Sequence, residues 1–370
     1  MQLSYWEYKS WLSNIDFTVV GSGIVGLNCA LRLKLQNPKA KVLVLEKGIL
    51  PQGASTKNAG FACFGSISEV KADLKHHKED EVVDLVQKRW NGIQFLRENL
   101  GDQNIDFQQH GGHELFLNKD RKLYEECLTD LEHVNQLLLP VYGDKAFSKS
   151  ENIFRFRKIH ENYITNVFEG QIDTGKMMHN LLKLVQKNNI TILNNISVEA
   201  FSENNDSVKL KTNQFDFITK KLFLATNGFA SQFLKVDLKP ARTQILITKP
   251  IHNLQIKGTF HFDEGYYYFR NIDRRVLFGG GRNLDFKGEE TINLGTTELI
   301  QEELKRILKD TVLPNTTFEV ERSWSGIMGV GKQKNPIVKS LSNHVYCGVR
   351  MGGMGIAIGS LIGKELADLA

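Results

Sequence analysis

The sequence predicts a mixed α/β fold, in which a doubly wound parallel sheet is combined with a second sheet that is mainly antiparallel. Two observations predict this fold. A strand, a glycine-rich turn, a helix and a second strand follow one another within residues 16–46, which is the building unit of a parallel sheet. Later stretches rich in β-branched and aromatic residues interrupt the helical segments, as expected of antiparallel strands.

The chain has the length and composition of a globular protein with two domains. It contains 370 residues, of which 41% are hydrophobic and 24% are charged, so disorder is excluded and a large core is possible. The net charge of +5 is spread over runs of mixed sign. No dedicated nucleic-acid surface is therefore indicated, and nucleic acid is not expected as a partner.

The spacing of the cysteines and the hydropathy further limit the class of protein to which the chain can belong. Four isolated cysteines without a CxxC pair argue against zinc and a disulfide scaffold, so we expect no metal and a cytoplasmic protein. No apolar segment has the length of a membrane span, and no membrane partner is expected. The aromatic N-terminus, with Tyr5, Trp6, Tyr8 and Trp11, is interpreted as a short helix packed on the body of the protein.

The turn after the first strand reads Gly21-Ser-Gly-Ile-Val-Gly26 and has the spacing of a dinucleotide-binding motif. In this motif Gly21 permits the tight turn and Gly23 lets the backbone approach a pyrophosphate, while Gly26 lets the helix pack closely on the strand. The N–H groups of the first helical turn, which begins at Ile24, would face the phosphates.

An acidic residue ends the second strand of this unit. Glu46 follows Gly26 by 20 residues, at a place where a carboxylate can accept hydrogen bonds from a ribose. The same carboxylate would repel a 2′-phosphate, which argues against NADP. Its neighbour Lys47 is assigned to the same site.

A loop of small residues distinguishes between FAD and NAD, the dinucleotides that remain after NADP is excluded. Residues 53–60 read Gly-Ala-Ser-Thr-Lys-Asn-Ala-Gly. This stretch resembles the GAS-x-x-NAG loop of the D-amino acid oxidase superfamily of FAD-dependent oxidoreductases, which includes glycine, sarcosine and γ-glutamylputrescine oxidases. In that family the loop passes the pyrophosphate and lies under the isoalloxazine ring. The resemblance implies FAD as cofactor, with Cys63 close to the ring and FAD contacts from Ser55, Thr56, Asn58, Ala59 and Gly60.

The resemblance continues along nearly the whole chain. The strand at 190–198, the Ala-Thr-Asn-Gly strand end at 225–228 and the glycine-rich closing segment at 347–359 resemble nucleotide- and flavin-binding segments of the family. They imply further FAD contacts from Val198, Thr226, Asn227, Gly228, Gly326, Arg350, Gly352, Gly353, Met354, Gly355 and Ile356. The last helix would direct its N-terminal dipole at the flavin N1 and C2 carbonyl edge, where negative charge develops on reduction.

Two cofactor and domain expectations follow from the resemblance. Sarcosine oxidases tether FAD through a cysteine that would fall near Gly326, where this chain has none, so noncovalent FAD is expected. The FAD-binding domain is expected to be discontinuous and interleaved with a mainly antiparallel substrate-binding domain. The FAD-binding domain is assigned to residues 1–100, 160–235 and 325–370, and the substrate-binding domain to residues 101–159 and 236–324.

The periodicity of the hydrophobic residues predicts the positions of the remaining helices and strands. Helices are predicted at 68–100, 120–139, 176–187 and 297–308. Strands are predicted at 113–117, 242–248, 258–262, 266–270, 276–279 and 318–324.

An aromatic strand is the candidate wall of the substrate pocket. In Tyr266-Tyr-Tyr-Phe-Arg270, strand alternation puts Tyr266, Tyr268 and Arg270 on one face and Tyr267 and Phe269 on the other. Because the family often presents a tyrosine from such a strand to its substrate, Tyr266 or Tyr268 is a candidate lid. Arg270 is either a pocket charge or a solvated edge charge.

The segment Trp324-Ser-Gly-Ile-Met328 departs from the family pattern. Related amino acid oxidases carry an arginine at the place of Met328 and bind the substrate carboxylate with it. Here Met328 would form an apolar wall. Arg350 is the expected substitute, against the alternative of a structural ion pair, and Arg270 is the other candidate for this role. This departure weakens a simple amino acid oxidase assignment, since γ-glutamylputrescine oxidase also lacks that arginine and takes an amine whose carboxylate is remote.

Three functions remain open at this point. The first is FAD-dependent oxidation of the C–N bond of a primary or secondary amine or amino acid, by hydride transfer to flavin N5, with O₂ or another electron acceptor. The second is a 2-hydroxy acid dehydrogenase of the same superfamily, which needs a base near N5; no histidine in the flavin-binding loops is a candidate for it. The third is a flavin oxidase domain that acts on a modified tRNA uridine.

Overall fold

The computed structural model describes residues 2–370. It contains two eight-stranded sheets and one two-stranded sheet. The α-helices are α1 (Tyr5–Glu7), α2 (Ile24–Gln36), α3 (Ile67–Leu74), α4 (Glu79–Leu100), α5 (Asp102–Ile105), α6 (Arg121–Tyr142), α7 (Thr174–Lys187), α8 (Glu298–Ile307) and α9 (Gly355–Ala367). The strands are β1 (Ile15–Val20), β2 (Val42–Leu45), β3 (Phe61–Ala62), β4 (Gly112–Glu114), β5 (Phe147–Glu151), β6 (Asn162–Asn166), β7 (Gly170–Gln171), β8 (Thr191–Leu193), β9 (Val198–Glu203), β10 (Val208–Thr212), β11 (Asp216–Leu224), β12 (Lys239–Thr248), β13 (Thr259–Phe262), β14 (Tyr267–Ile272), β15 (Arg275–Gly280), β16 (Val320–Val330), β17 (Ile337–Ser340) and β18 (Val345–Val349).

The first sheet has the strand order β17-β18-β11-β1-β2-β8. Strands β18, β11, β1, β2 and β8 are mutually parallel, whereas β9 and β10 form an antiparallel extension from β11. One face packs against α2, α4, α7 and α9 through Val19, Val44 and Phe223. The other face packs against β10 through Leu43 and Leu224. Burial on both faces explains why β2 is a continuous apolar run.

The second sheet has the order β16-β12-β15-β14-β13-β4-β6-β5 and is antiparallel except between β13 and β4. Its inner face is rich in phenylalanine, and Phe260, Phe269 and Phe278 stack or pack edge-on in one core with α8. The α/β fold class with parallel and antiparallel sheets is thus confirmed.

Several predicted bounds are corrected by the pairing. The helix predicted at 68–100 is two helices, α3 and α4, because the chain turns at Lys75–Lys78. The strand predicted at 190–198 is also two, because Asn195 between β8 and β9 adopts a left-handed φ of 61°. Strand β6 lies in the second sheet, although residues from 160 onward were assigned to the FAD-binding domain.

The predicted domain boundary at 324/325 falls inside a continuous strand. β16 pairs with the whole length of β12, from Lys239 opposite Val330 to Thr248 opposite Val320. The ladder carries the second sheet through Met328, so the chain leaves that sheet after Val330 and not at 324.

The expected packing of the aromatic N-terminus is wrong. A capping box between Ser4 and Glu7 starts the short helix α1, but Tyr5, Trp6, Tyr8 and Trp11 are all exposed. Only Leu12 of the segment is buried in the core. In residues 2–370 no helix combines the length and the hydrophobicity that crossing a membrane requires.

Candidate functional site

A cavity of about 640 Å³ is lined by residues of both large sheets. It begins at the carboxyl ends of the parallel strands β1 and β2, at Val20 and Leu45, and extends to Thr243 of β12, His261 of β13 and Met328 of β16. The carboxyl end of a parallel sheet is where α/β folds bind ligands. The cavity is therefore the candidate site.

The glycine motif forms the floor of the first part of the cavity. Gly21 has a φ of 106°, which only glycine adopts without strain. A Cβ on Gly26 would lie 1.9 Å from the carbonyl oxygen of Gly21, so α2 packs directly on the turn. The N-cap Gly23 has no capping side chain, and the N–H of Ile24 donates to Ser55 Oγ at 2.9 Å. The positive end of the α2 dipole thus faces the cavity.

Glu46 lines the cavity beside this turn and is buried. Its Oε2 accepts hydrogen bonds from the N–H and hydroxyl of Ser22, at 3.1 and 2.7 Å, and its Oε1 accepts one from the Gly48 N–H. These bonds fix the carboxylate at the wall. The Lys47 Nζ lies 3.5 Å from the ring centroid of Phe229, which lines the same end, and burial lowers the pKa of this lysine.

The small-residue loop runs along the cavity and is held by its own asparagine. Asn58 Oδ1 accepts hydrogen bonds from the Gly60 N–H and the Thr174 hydroxyl, while Nδ2 donates to the carbonyls of Ala54 and Ser55. Ser55, Asn58, Ala59 and Gly60 line the cavity.

Thr56 is an exception to the expected FAD contacts of this loop. Its hydroxyl donates to the Pro51 carbonyl at 2.6 Å, and the residue lines a separate surface depression instead of the main cavity. The prediction for Thr56 is corrected accordingly.

The other predicted cofactor segments meet at the same cavity. Eighteen of the predicted cofactor residues line it, those outside the loop and the glycine turn being Glu46, Lys47, Val198, Thr226, Asn227, Gly326, Gly352, Gly353, Met354, Gly355 and Ile356. The turn at Met351–Met354 leads into α9, whose N-terminus therefore faces the cavity. In residues 2–370 the buried Thr226 hydroxyl has no hydrogen-bond partner. An orphaned donor, two helix N-termini and a glycine floor together fit a dinucleotide.

Two predicted glycines act by packing. Gly26 and Gly228 do not line the cavity. A Cβ on Gly228 would lie 2.3 Å from the Met328 carbonyl oxygen, so Gly228 brings the strand end of the first sheet against β16. For both positions the expected cofactor contact is replaced by close backbone packing that shapes the site.

Arg350 lies outside the cavity, away from the place that the predicted substrate or flavin role requires. Its side chain is buried and does not line the cavity. Nη1 forms an ion pair with Asp237 Oδ2 at 2.8 Å and a hydrogen bond with the Asp237 carbonyl, and Nε donates to the Asn335 carbonyl. These partners use the guanidinium, so the structural ion pair is the correct interpretation.

The aromatic strand shows the predicted alternation. Tyr266, Tyr268 and Met328 line the cavity, whereas Tyr267 and Phe269 pack in the core of the second sheet. The Tyr268 ring packs edge-on against Phe61, the residue after the small-residue loop, at 5.6 Å between centroids. Burial raises the pKa of the Tyr268 phenol to about 12, so its hydroxyl stays protonated.

Arg270 is neither a pocket charge nor a solvated edge charge. It is buried and donates from Nη1 to the carbonyls of Gly60 and Ile172, at 3.0 and 2.7 Å. It does not line the main cavity. Its hydrogen bond to the Gly60 carbonyl supports the small-residue loop from the side away from the cavity.

Cys63 and Met328 form part of the wall near the α9 turn. Cys63 Sγ lies 3.6 Å from Met354 Sδ, and burial raises the pKa of the Cys63 thiol well above its usual range. A Cβ on Gly353 would lie 3.5 Å from Met328 Sδ. This end of the cavity is thus bounded by sulfur and glycine backbone, without an ionised thiol.

Sequence reasoning did not single out several ionisable residues of the cavity wall, among them Glu69, Glu169 and His261. Glu169 Oε1 accepts hydrogen bonds from the N–H groups of Phe64 and Gly65, and burial raises the pKa of Glu169 to about 7. Burial alone would raise the pKa of Glu69, but Arg89, Lys334, His261 and the Ser66 N–H together outweigh it, so the pKa of Glu69 is lowered. In residues 2–370 His261 Nε2 is buried without a hydrogen-bond partner.

Weak signals for these residues were present in the sequence. His261 lies in the strand predicted at 258–262 and stands opposite Tyr268 across the β13–β14 hairpin. Glu69 is the fourth residue of the capping box that starts at Ser66. Arg282, which also lines the cavity, follows three consecutive glycines. Glu169 has no comparable signal. In residues 2–370 no group of three or more histidine, cysteine or acidic side chains could hold a metal ion.

Comparisons with known proteins agree with this geometry. A family model described as FAD dependent oxidoreductase (DAO) matches residues 16–369. Among curated proteins, the "Probable oxidoreductase OrdL" of Haemophilus influenzae is 21% identical over 381 residues, which cover 96% of this chain and 83% of that protein.

Solved structures with the same fold include two enzymes that cover nearly the whole chain. L-proline dehydrogenase from P. horikoshii has a TM-score of 0.74 and 18% identity, and covers 96% of this chain and 93% of its own. Glycine oxidase from Geobacillus kaustophilus has a TM-score of 0.76 and 17% identity, with 96% and 94% covered. At these identities the likeness establishes the fold.

Proposed function

The chain belongs to the family of FAD-dependent oxidoreductases, and we propose that it oxidises the C–N bond of an amine or amino acid. The observation that carries this proposal is the far end of the cavity. There Met328 and Tyr268 bound an apolar wall beside the Gly352–Gly353 turn, and Glu169 and His261 supply groups that can take a proton. The similar structures named for glycine and L-proline act on amino acids, which supports the same substrate class.

The residues around the cavity are suited to hold FAD along its length. The α2 N-terminus and Gly23 would hold the pyrophosphate, Glu46 would accept hydrogen bonds from the ribose, and Val198 would contact the adenine. The α9 N-terminus suits the ring edge on which negative charge grows. Bound FAD supplies the acceptor for the hydride that leaves the substrate carbon.

The side chains of the cavity wall have two roles in this reaction: they accept a proton and they orient the substrate. An ammonium group has no free electron pair, so it must lose a proton before its C–H bond can give up a hydride. Glu169 has a pKa of about 7, which is near the value at which a base is most effective at neutral pH. Tyr268 and Met328 exclude water and orient the substrate carbon. The imine that results is hydrolysed by water after the redox step.

An anaerobic reduction experiment tests the proposal. The purified FAD-loaded protein is mixed with separate panels of amines, amino acids of both hands and 2-hydroxy acids, and the flavin absorption band is followed. We expect bleaching by at least one amine or amino acid. Recovery of the band in air identifies an oxidase, and bleaching without recovery identifies a dehydrogenase. If only 2-hydroxy acids bleach the band, the proposal is wrong.

One observation favours a second candidate, a 2-hydroxy acid dehydrogenase. That reaction needs a base for the hydroxyl proton, and the unpartnered His261 Nε2 in the cavity wall is a suitable group. The His261→Gln variant separates the two functions. Under the second candidate it abolishes reduction by hydroxy acids, whereas under the first it leaves amine-driven reduction at high pH intact, because free amines then need no base.

A further inference from the structure

A cation that could bind a substrate carboxylate has still to be identified in the cavity. Met328 occupies the place where an arginine was expected, and the two expected substitutes, Arg350 and Arg270, are bonded to other groups. The Arg350 guanidinium is paired with Asp237, and the Arg270 guanidinium is hydrogen-bonded to the backbone carbonyls of Gly60 and Ile172. Neither residue lines the main cavity. A carboxylate in the cavity therefore needs a different cation.

Arg282 lines the cavity with Tyr266, Tyr268 and Met328. It is half-buried, and its guanidinium carbon lies 6.0 Å from the ring centroid of Tyr266 and 4.9 Å from that of Phe286. Within residues 2–370 its side chain forms neither a hydrogen bond nor an ion pair with an oxygen within 4.0 Å. Stacking on aromatic faces orients a guanidinium while leaving its N–H donors free for an anion.

The backbone holds Arg282 in a defined position relative to the aromatic strand. Gly280 stands opposite Tyr267 in the β14–β15 ladder. It has a φ of 125°, and a Cβ there would lie 1.9 Å from the Tyr266 carbonyl oxygen. The next N–H, that of Gly281, donates to the same carbonyl at 2.9 Å. Arg282 is therefore tied through two residues to Tyr266 and does not lie on a free loop.

The other cations of the cavity wall are less suited to a substrate anion. Lys47 lies at the opposite end, over Phe229 and next to Glu46. Lys57 lies in the small-residue loop, where its carbonyl accepts a hydrogen bond from Trp324 Nε1. Of the three, Arg282 is the one whose charged group lies over a ring of the aromatic strand.

We propose that Arg282 binds a carboxylate of the substrate through charge-assisted hydrogen bonds from its guanidinium. The inference rests on the proposed C–N oxidation and makes it more specific: the substrate is an amino acid or another amine that carries a carboxylate. The acidic wall residues Glu69 and Glu169 then face the amino end of a zwitterion. Bidentate pairing of a guanidinium with a carboxylate gives both affinity and orientation.

Binding of carboxylates that cannot be oxidised tests the site directly. Acetate and benzoate are titrated into the FAD-loaded protein and compared with acetamide and benzamide, which have the same shape without the charge, by flavin difference spectra. We expect a carboxylate to bind at least tenfold more tightly than its amide. Arg282→Met should lose this preference, a weakening of about 10- to 100-fold, and Arg282→Lys should retain part of it.

Two controls exclude a folding defect as the cause. Arg306→Met removes a surface arginine of α8 and should leave all the binding constants unchanged. Flavin content and thermal midpoint are measured for every variant. The inference is overturned if Arg282→Met binds carboxylates as tightly as the unaltered protein, if Lys57→Met alone loses the preference, or if no carboxylate perturbs the flavin spectrum.

A substrate comparison separates this inference from the proposed function. L-Proline and glycine are compared with their amides as reductants of the flavin under anaerobic conditions, in the unaltered protein and in Arg282→Met. If amides and acids are equally effective in both proteins, the role of Arg282 is wrong and C–N oxidation stands. If no amine reduces the flavin but carboxylates bind through Arg282, C–N oxidation is wrong and the anion site stands.

Discussion

At the scale of single residues, Glu169 couples stability to pH. Burial raises the pKa of Glu169 to about 7 from its ordinary 4.5. Between these values the folded chain binds a proton that the unfolded chain has lost, so the free energy of unfolding falls as the pH rises from about 4.5 to 7. Glu169→Gln keeps an acceptor for the Phe64 and Gly65 N–H groups and removes this loss. We expect it to be stabilised by about 3 kcal/mol at pH 8 and unchanged at pH 4.

Urea unfolding of the FAD-loaded protein at the two pH values measures this difference. Glu161→Gln, at an exposed position of the same segment, is the matched control and should be as stable as the unaltered protein at both pH values. A stabilisation of Glu169→Gln that is equal at both pH values would show that charge burial is not its cause.

Arg350 supports a second prediction at this scale. Its guanidinium donates three hydrogen bonds, two of them to Asp237 and one to Asn335. Arg350→Met should lower the free energy of unfolding by about 2 kcal/mol, since the three hydrogen bonds of a buried guanidinium, one of them to a carboxylate, are lost. The affinity for carboxylates should change less than twofold. Arg32→Met, which breaks the exposed pair with Asp368, should cost less than about 1 kcal/mol.

Flavin difference spectra measure the affinity for carboxylates and test the expected change of less than twofold. If Arg350→Met loses carboxylate binding while its stability is unchanged, the ion pair is not the main role of Arg350.

The residues that could be predicted from the sequence are those whose role depends on a local motif. Gly21, Gly23 and Glu46 belong to one βαβ unit, so their spacing placed them at the cavity correctly. Arg350 was misjudged because its partner Asp237 is 113 positions away in the chain. His261 was missed because only the hairpin register brings it beside Tyr268.

At the scale of elements, the packing of α4 against α9 positions the cavity wall. A Cβ on Gly92 of α4 would lie 2.1 Å from the Ala357 carbonyl oxygen of α9, and Ser360 Oγ donates to the Gly92 carbonyl at 2.7 Å. Gly92→Ala must push α9 outward, and the first turn of α9 lines the cavity. We expect a loss of about 1–3 kcal/mol in stability and a severalfold weaker affinity for FAD.

The neighbouring position provides the control for this prediction. Asn91 is exposed on the same helix, so Asn91→Ala should leave both quantities nearly unchanged. Stability is measured by urea unfolding and FAD affinity by equilibrium dialysis. If Gly92→Ala is destabilised but binds FAD with unaltered affinity, the contact between α4 and α9 does not position the FAD site.

Elements were predictable where the periodicity is strong and uncertain where pairing decides their ends. α7 and β14 appear close to their expected positions because each has one apolar face. The bounds of β16 were missed because its last residues are held by β12, more than 80 positions earlier in the chain. The aromatic residues of α1 look like core in composition, yet one short helical turn has no partner surface large enough to bury them.

At the scale of the whole molecule, the cavity is assembled from both large sheets. Its floor comes from β1, β2 and α2, and its far walls come from β12, β13 and β16. A ligand that fills it contacts both sheets at once and binds only the folded chain. Such a ligand raises the free energy of unfolding by an amount that depends on its free concentration.

This linkage yields a test of noncovalent FAD binding. Cys63 is the cysteine that lines the cavity within residues 2–370, and burial raises the pKa of its thiol well above the usual range, so it stays protonated and is a poor nucleophile. FAD held without a covalent bond should be released fully into the supernatant when the protein is precipitated with acid. The thermal midpoint of the protein should then rise with added FAD, by the equivalent of about 4 kcal/mol at a thousandfold excess over Kd. A midpoint that does not respond to FAD, together with flavin retained in the acid precipitate, would show a covalent link, and loss of that retention in Cys63→Ala would locate it.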